Sequence, residues 1–213
     1  MSRSDIFLIA LGVLVASTIA ADATTRARPH CPVGVRAKST TPLSRATATS
    51  GCSTKTSHGY PIPDPACTPG AINKTVTLRI LKSKFFKTSC ERNVITSLTS
   101  KNTTYPAYST DHPSHNTGKS QVCELDHLVS LELGGADSLD NIWPQCGPDG
   151  VELNDRYFKK KDRVENYLAL MVQQRRIPLK DAQRGIATDW TQYVDASEAY
   201  WKTHTAHGFG SDQ

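Results

Sequence analysis

The sequence predicts an α+β domain, and three patterns carry that prediction. Val122-Cys-Glu-Leu-Asp-His-Leu-Val-Ser-Leu131 is an apolar run with polar interruptions, and Asp140-Asn-Ile-Trp143 follows it beyond Gly134-Gly135. That is the pattern of two strands joined by a reversal. Leu153, Tyr157, Val164, Tyr167, Leu168 and Met171 then recur at helical spacing as far as Arg176. A second apolar helical face, Leu179, Ala182, Ile186, Trp190, Tyr193 and Val194, runs from Pro178 to Trp201.

The elements follow in chain order. Residues 1–20 read as a secretory signal: Arg3 opens them, Ile6 to Ala16 is an apolar or small run, and Thr18-Ile-Ala20 suits cleavage. That run has 11 residues, short of the roughly 20 a membrane span needs. A secreted protein with no membrane anchor in its mature form is expected. Residues 21–66 read as a poorly ordered, Ser/Thr-rich basic arm ending in the spacer Tyr60-Pro-Ile-Pro-Asp-Pro65, and residues 67–204 as the folded domain. Residues 205–213 read as a tail. Within the domain, Ile72 to Leu81 alternates enough to predict a strand or two, and the polar, turn-rich residues 100–121 predict a loop.

The formal charge of +5 and pI of 8.9 invite a polyanion partner. Position matters more than the mean. Residues 21–60 carry six bases and one acid, whereas residues 61–213 hold 18 of each. Within the body, residues 102–155 have one base, Lys119, against nine acids, while residues 74–101 hold seven bases and one acid. An acidic centre beside basic flanks repels phosphate unless a cation sits in it.

Six cysteines, Cys31, Cys52, Cys67, Cys90, Cys123 and Cys146, lie beyond the signal, with no CxxC pair among them. In an exported chain they predict disulfides. Pairing neighbours, as 31–52, 67–90 and 123–146, is the economical arrangement, each loop contributing about 3 kcal/mol. Asn73-Lys-Thr75 and Asn102-Thr-Thr104 are glycan sequons for a eukaryotic source.

Chemistry concentrates in Glu124-Leu-Asp-His127, Gly134-Gly135, Asn141-Ile-Trp-Pro144 and Lys161-Asp-Arg-Val-Glu165. Side chains of adjacent strand residues point to opposite faces, so Asp126 and His127 serve one site only where the strand ends. A neutral histidine suits general-base work near pH 7, and an aspartate offers an oxygen to a hard cation. Asn141 returns beside the pair through the hairpin. Its amide or a hairpin carbonyl is expected to orient the His127 ring. Trp143, Trp190 and Trp201 read as core, and Glu91, Glu132 and Asp189 as surface or structural partners.

These phrases, with Ala182-Gln-Arg-Gly-Ile-Ala-Thr-Asp-Trp190, resemble the HNH-type (ββα-metal) nuclease superfamily, in a secreted bacterial and fungal branch, over residues 67–195. The resemblance implies a ββα-metal hairpin-plus-helix core with flanking strands and a C-terminal helix. It implies an endonuclease that hydrolyses phosphodiester bonds of DNA or RNA, with His127 as base, Asn141 holding the loop, and Asp126 on a divalent ion, Mg²⁺ first, Mn²⁺ or Zn²⁺ as alternatives. The family places His or Asn three residues before a lysine on the helix, where this chain has Phe158 ahead of Lys161. Asn154 is the candidate third ligand, with Asp162 and Glu165 as alternatives. Lys159, Lys160, Lys161 and Arg163 are candidate nucleic-acid contacts. The other reading is a catalytically inactive secreted binding or effector protein on the same scaffold.

Overall fold

The computed structural model of the chain describes Cys31, residues 50–92 and residues 94–204. The signal segment 1–20, the rest of the arm before residue 50, and the tail therefore lie outside the described residues. The described part is α+β.

Residues 50–66, expected to be arm and spacer, instead carry a hairpin. Strands β1 (Lys55–Ser57) and β2 (Tyr60–Ile62) pair antiparallel around His58 and Gly59, whose φ values of 49° and 83° suit a two-residue turn. The hairpin is tied to the C-terminal part of the chain. The Trp190 indole N–H donates to the Pro61 carbonyl at 2.9 Å, Ser57 Oγ donates to Asp189 at 2.6 Å, and the Tyr60 ring meets Trp190 edge-on at 5.5 Å. Few apolar residues mark this stretch, and of these Tyr60 and Ile62 pack against the core.

The expected strand over 72–81 is a single bridge, Ile72 to Gly135, followed by the short helix α1 (Leu78–Leu81). Thr77 Oγ1 accepts from the Ile80 amide, and that N-cap turns the chain into a helix where alternation suggested a strand. The expected loop over 100–121 begins as helix α2 (Val94–Ala107). Thr104, Tyr105 and Tyr108 are buried there, so tertiary packing overrides a polar composition.

Strand β3 (Cys123–His127) pairs antiparallel with β4 (Ile142–Cys146), placing Asp126 opposite Trp143 and His127 opposite Ile142. The return strand, expected over Asp140 to Trp143, continues through Pro144. Both strands of a two-stranded ribbon are edges, where proline is tolerated. Helices α3 (Tyr157–Gln173), α4 (Leu179–Asp189) and α5 (Val194–Thr203) complete the domain, with a 3-10 turn, Trp190–Tyr193, between the last two. The first of the two expected helices starts only at Tyr157, after Gly147-Pro-Asp-Gly150 and the 3-10 turn Leu153–Asp155.

α3 packs against the β3–β4 ribbon and against α5. Val164, Leu168 and Val172 of α3 meet Leu128, Val129, Leu133 and Trp143 of the hairpin region, with Ala182, Ile186 and Trp190 behind. Burying each such aliphatic side chain contributes about 1.5–3 kcal/mol.

Three disulfides join Cys31 to Cys90, Cys52 to Cys67 and Cys123 to Cys146. Only the last is a pair expected from sequence. The hairpin at 55–62 brings Cys52 back to Cys67, which leaves Cys90 for Cys31. No helix among the described residues is long and apolar enough to cross a membrane.

Candidate functional site

The site is built where β3 ends. Adjacent side chains of a strand diverge, and the two candidate residues obey that rule. Asp126 faces Trp143 and α3, and His127 faces the loop that leads back to β4.

On the α3 side, Asp126 Oδ2 accepts from the Lys161 ammonium at 2.8 Å and from the Trp143 indole N–H at 3.3 Å. Lys161 is 0% exposed, and its ammonium also donates to the His127 carbonyl at 2.7 Å and to the Glu165 carboxylate one turn along the helix. Burial alone pushes this lysine down, but Asp126 and Glu165 outweigh it and hold Lys161 charged, above the ordinary lysine range. One ammonium cannot compensate every carboxylate around it. Burial pushes Glu165 well above the ordinary glutamate value, Lys161 opposes the rise, and Asp126 and Asp162 add to it.

More acids surround this pair. Glu124 is pushed up to about 7 by burial and by Asp126 and Asp162. Glu132 rises to about 7 through burial and Asp162. Among the described residues, Oε2 of each of these glutamates is buried without a hydrogen-bond partner. Burial also raises Asp162, against the pull of Lys159, whose ammonium lies 2.8 Å away.

On the loop side, the His127 ring nitrogen Nε2 lies 2.8 Å from Asp137 Oδ1, with the two side chains 11% and 3% exposed. With Nε2–H donating to Asp137, neutral His127 keeps Nδ1 as its proton acceptor. Asp137 is itself anchored, since its carbonyl accepts from Thr96 Oγ1 at 2.8 Å. Behind it lies Glu91, 2% exposed and bonded by the Asn73 amide at 2.7 Å. Burial pushes Glu91 up to about 7, and the Asp137 charge contributes. Glu91 is thus a core carboxyl and Asn73 its partner.

Asn141 holds the loop together. Its Oδ1 accepts from the Val129 amide at 2.9 Å, and its Nδ2 donates to the carbonyls of Val129 at 2.9 Å and Ala136 at 2.8 Å. Gly135 makes room for this. A Cβ there would lie 1.8 Å from the Val129 oxygen and 2.9 Å from Asn141 Nδ2. Gly134 closes the 3-10 turn Leu131–Leu133 in the left-handed region, at φ 76°. Contrary to expectation, Asn141 does not orient His127 directly. Asp137 does.

The remaining predicted residues are dispersed. Asn154 is exposed in the turn Leu153–Asp155, and Phe158 is fully buried. Lys159 and Lys160 are half-buried, the first paired with Asp162, the second with Glu198 at 3.2 Å and Asp155 at 3.6 Å. Arg163 is half-buried on α3. Contrary to expectation, Lys161 offers no surface to nucleic acid: its ammonium is buried on Asp126, Glu165 and the His127 carbonyl. Among the described residues, no three His, Cys, Asp or Glu side chains form a group able to hold a metal ion. The Asp126 carboxylate is committed to Lys161, so the divalent ion implied by the resemblance does not fit there as the side chains stand.

Sequence reasoning missed Asp137 and the burial of Lys161. Nothing in residue type separates Asp137 from Asp140, three positions later in the same loop. Lys161 did carry a signal: it falls with Phe158, Glu165 and Leu168 on one helical face, the buried one. No family model, curated protein or solved structure matches this chain.

Proposed function

We propose that the protein is a secreted endonuclease on an HNH-like ββα scaffold, hydrolysing phosphodiester bonds of DNA or RNA with His127 as general base. The observation that carries this reading is the His127–Asp137 pair, set at a strand end on a loop that Asn141 ties shut. An imidazole whose Nε2–H is held by a buried carboxylate has one tautomer and one orientation, as proton abstraction requires. His127 Nδ1 takes a proton from water, the water oxygen forms a bond to phosphorus, and the bond to the leaving sugar oxygen breaks. That oxygen takes its proton from solvent. Asp137 stabilises the imidazolium. The basic segment 74–101 supplies charge for the nucleic-acid backbone. A Mg²⁺, Mn²⁺ or Zn²⁺ ion would supply Lewis-acid neutralisation of the phosphate when bound. Asp126, bonded to Lys161, does not hold that ion as the side chains stand, and the step above needs none.

One observation favours the second reading, a binding or effector protein without turnover. Lys161 occupies the Asp126 oxygen Oδ2, where the resemblance places the ion. Incubating supercoiled plasmid and single-stranded RNA with the wild type and His127→Ala, with each divalent ion and with chelator, decides between them. Cleavage lost in His127→Ala supports the nuclease. Equal cleavage by both proteins overturns His127 as the base, and no cleavage by the wild type under any condition favours the binding protein.

A further inference from the structure

Three oxygens converge on one point beside His127: Asp126 Oδ2, a Glu165 carboxylate oxygen and the main-chain oxygen of His127. One carboxylate from a strand, one from a helix and a carbonyl form a donor set that a hard divalent cation takes. Here the cation at that point is Lys161 Nζ, 2.8 Å from Asp126 and 2.7 Å from the His127 oxygen. Its three N–H donors meet three acceptors, and with 0% exposure it reaches no substrate phosphate.

We propose that Lys161 is a built-in replacement for a divalent ion at Asp126, a positioning residue that holds the end of β3, and through the His127 carbonyl the base itself, without metal. A helix-borne ammonium fills the point that a loosely held ion would otherwise occupy. It also explains why so acidic a region folds: a fixed positive charge lies among Asp126, Glu165, Asp162 and Glu124. The proposal rests on the nuclease reading only for what His127 does.

The test uses ions and no nucleic acid, so the two readings fail separately. Thermal melting and calorimetry are run on the full disulfide-bonded chain with MgCl₂ and with MnCl₂, for the wild type, Asp126→Asn, Lys161→Ala and the double variant. The wild type should take up no ion that Asp126→Asn abolishes. Lys161→Ala should melt at lower temperature, and either ion should raise its Tm in a saturable way that mass action describes. That rise should vanish in the double variant, together with any bound-Mn²⁺ paramagnetic signature. A merely structural lysine would give the loss in Tm without the recovery. A wild type that binds an ion through Asp126, or a folded Lys161→Ala indifferent to both ions, overturns the proposal. Should Lys161→Ala not fold, Lys161→Met, which keeps the apolar stem, is read in the same way: recovery by either ion upholds the proposal, and indifference to both overturns it.

Discussion

Lys161 and Asp126 form an ion pair 2.8 Å apart in which the lysine is wholly buried. Removing one member of such a pair strands the other charge away from water. Lys161→Met is expected to cost about 3–5 kcal/mol in urea denaturation, and the Lys161→Met/Asp126→Asn double variant less than the sum of the singles.

The Asn141 side chain satisfies three buried backbone groups at once. Asn141→Ala is expected to lose about 2–4 kcal/mol, since each orphaned group costs about 1–3 kcal/mol and some gain water. Gly135→Ala should be at least as damaging, because its Cβ meets the Val129 backbone oxygen and backbone cannot move aside as a side chain does. Amide hydrogen exchange would localise both losses to residues 128–141.

Stability should fall as pH rises from about 4.5 to about 7. Glu91, Glu124 and Glu132 are each raised from the ordinary value of 4.5 to about 7 in the folded chain. Across that window the unfolded chain has released protons that the folded chain still binds, so deprotonation favours unfolding. Above about 7 both states are ionised at these positions and their contribution is flat. Glutamine at any of the three should raise Tm at pH 8, change it little at pH 4.5, and flatten the slope. Melting curves across pH measure this.

Non-reducing peptide mapping of the oxidised chain should find Cys31 with Cys90, Cys52 with Cys67, and Cys123 with Cys146. A Cys31–Cys52 or Cys67–Cys90 peptide would contradict the arrangement of the β1–β2 hairpin.

What was legible in the sequence follows from where each signal lay. The β3–β4 ribbon and the two helical faces were readable because their periodicity is local and their glycines mark the reversal. Asn141 was readable because its distance from Asp126-His127 is set by one short loop. The β1–β2 hairpin, α2 and two disulfides were not, since they rest on contacts distant in sequence, such as the Tyr60 ring on Trp190 and the Cys31–Cys90 bond. Asp137 was illegible for a related reason. Its role depends on which of several loop acids the Asn141 bonds aim at His127. Lys161 reads as one of three consecutive lysines, and only the helical phase shows that it points inward.

The measurement that tests the central claim most directly is the initial rate of nucleic-acid cleavage by the wild type, His127→Ala and Asp137→Asn, with folding of each checked by melting. The account predicts that His127→Ala abolishes cleavage. It predicts that Asp137→Asn, which loses the charge that orients and stabilises the imidazole, lowers the rate about 10²–10⁴-fold while the chain stays folded. Wild-type rates in both variants would contradict it.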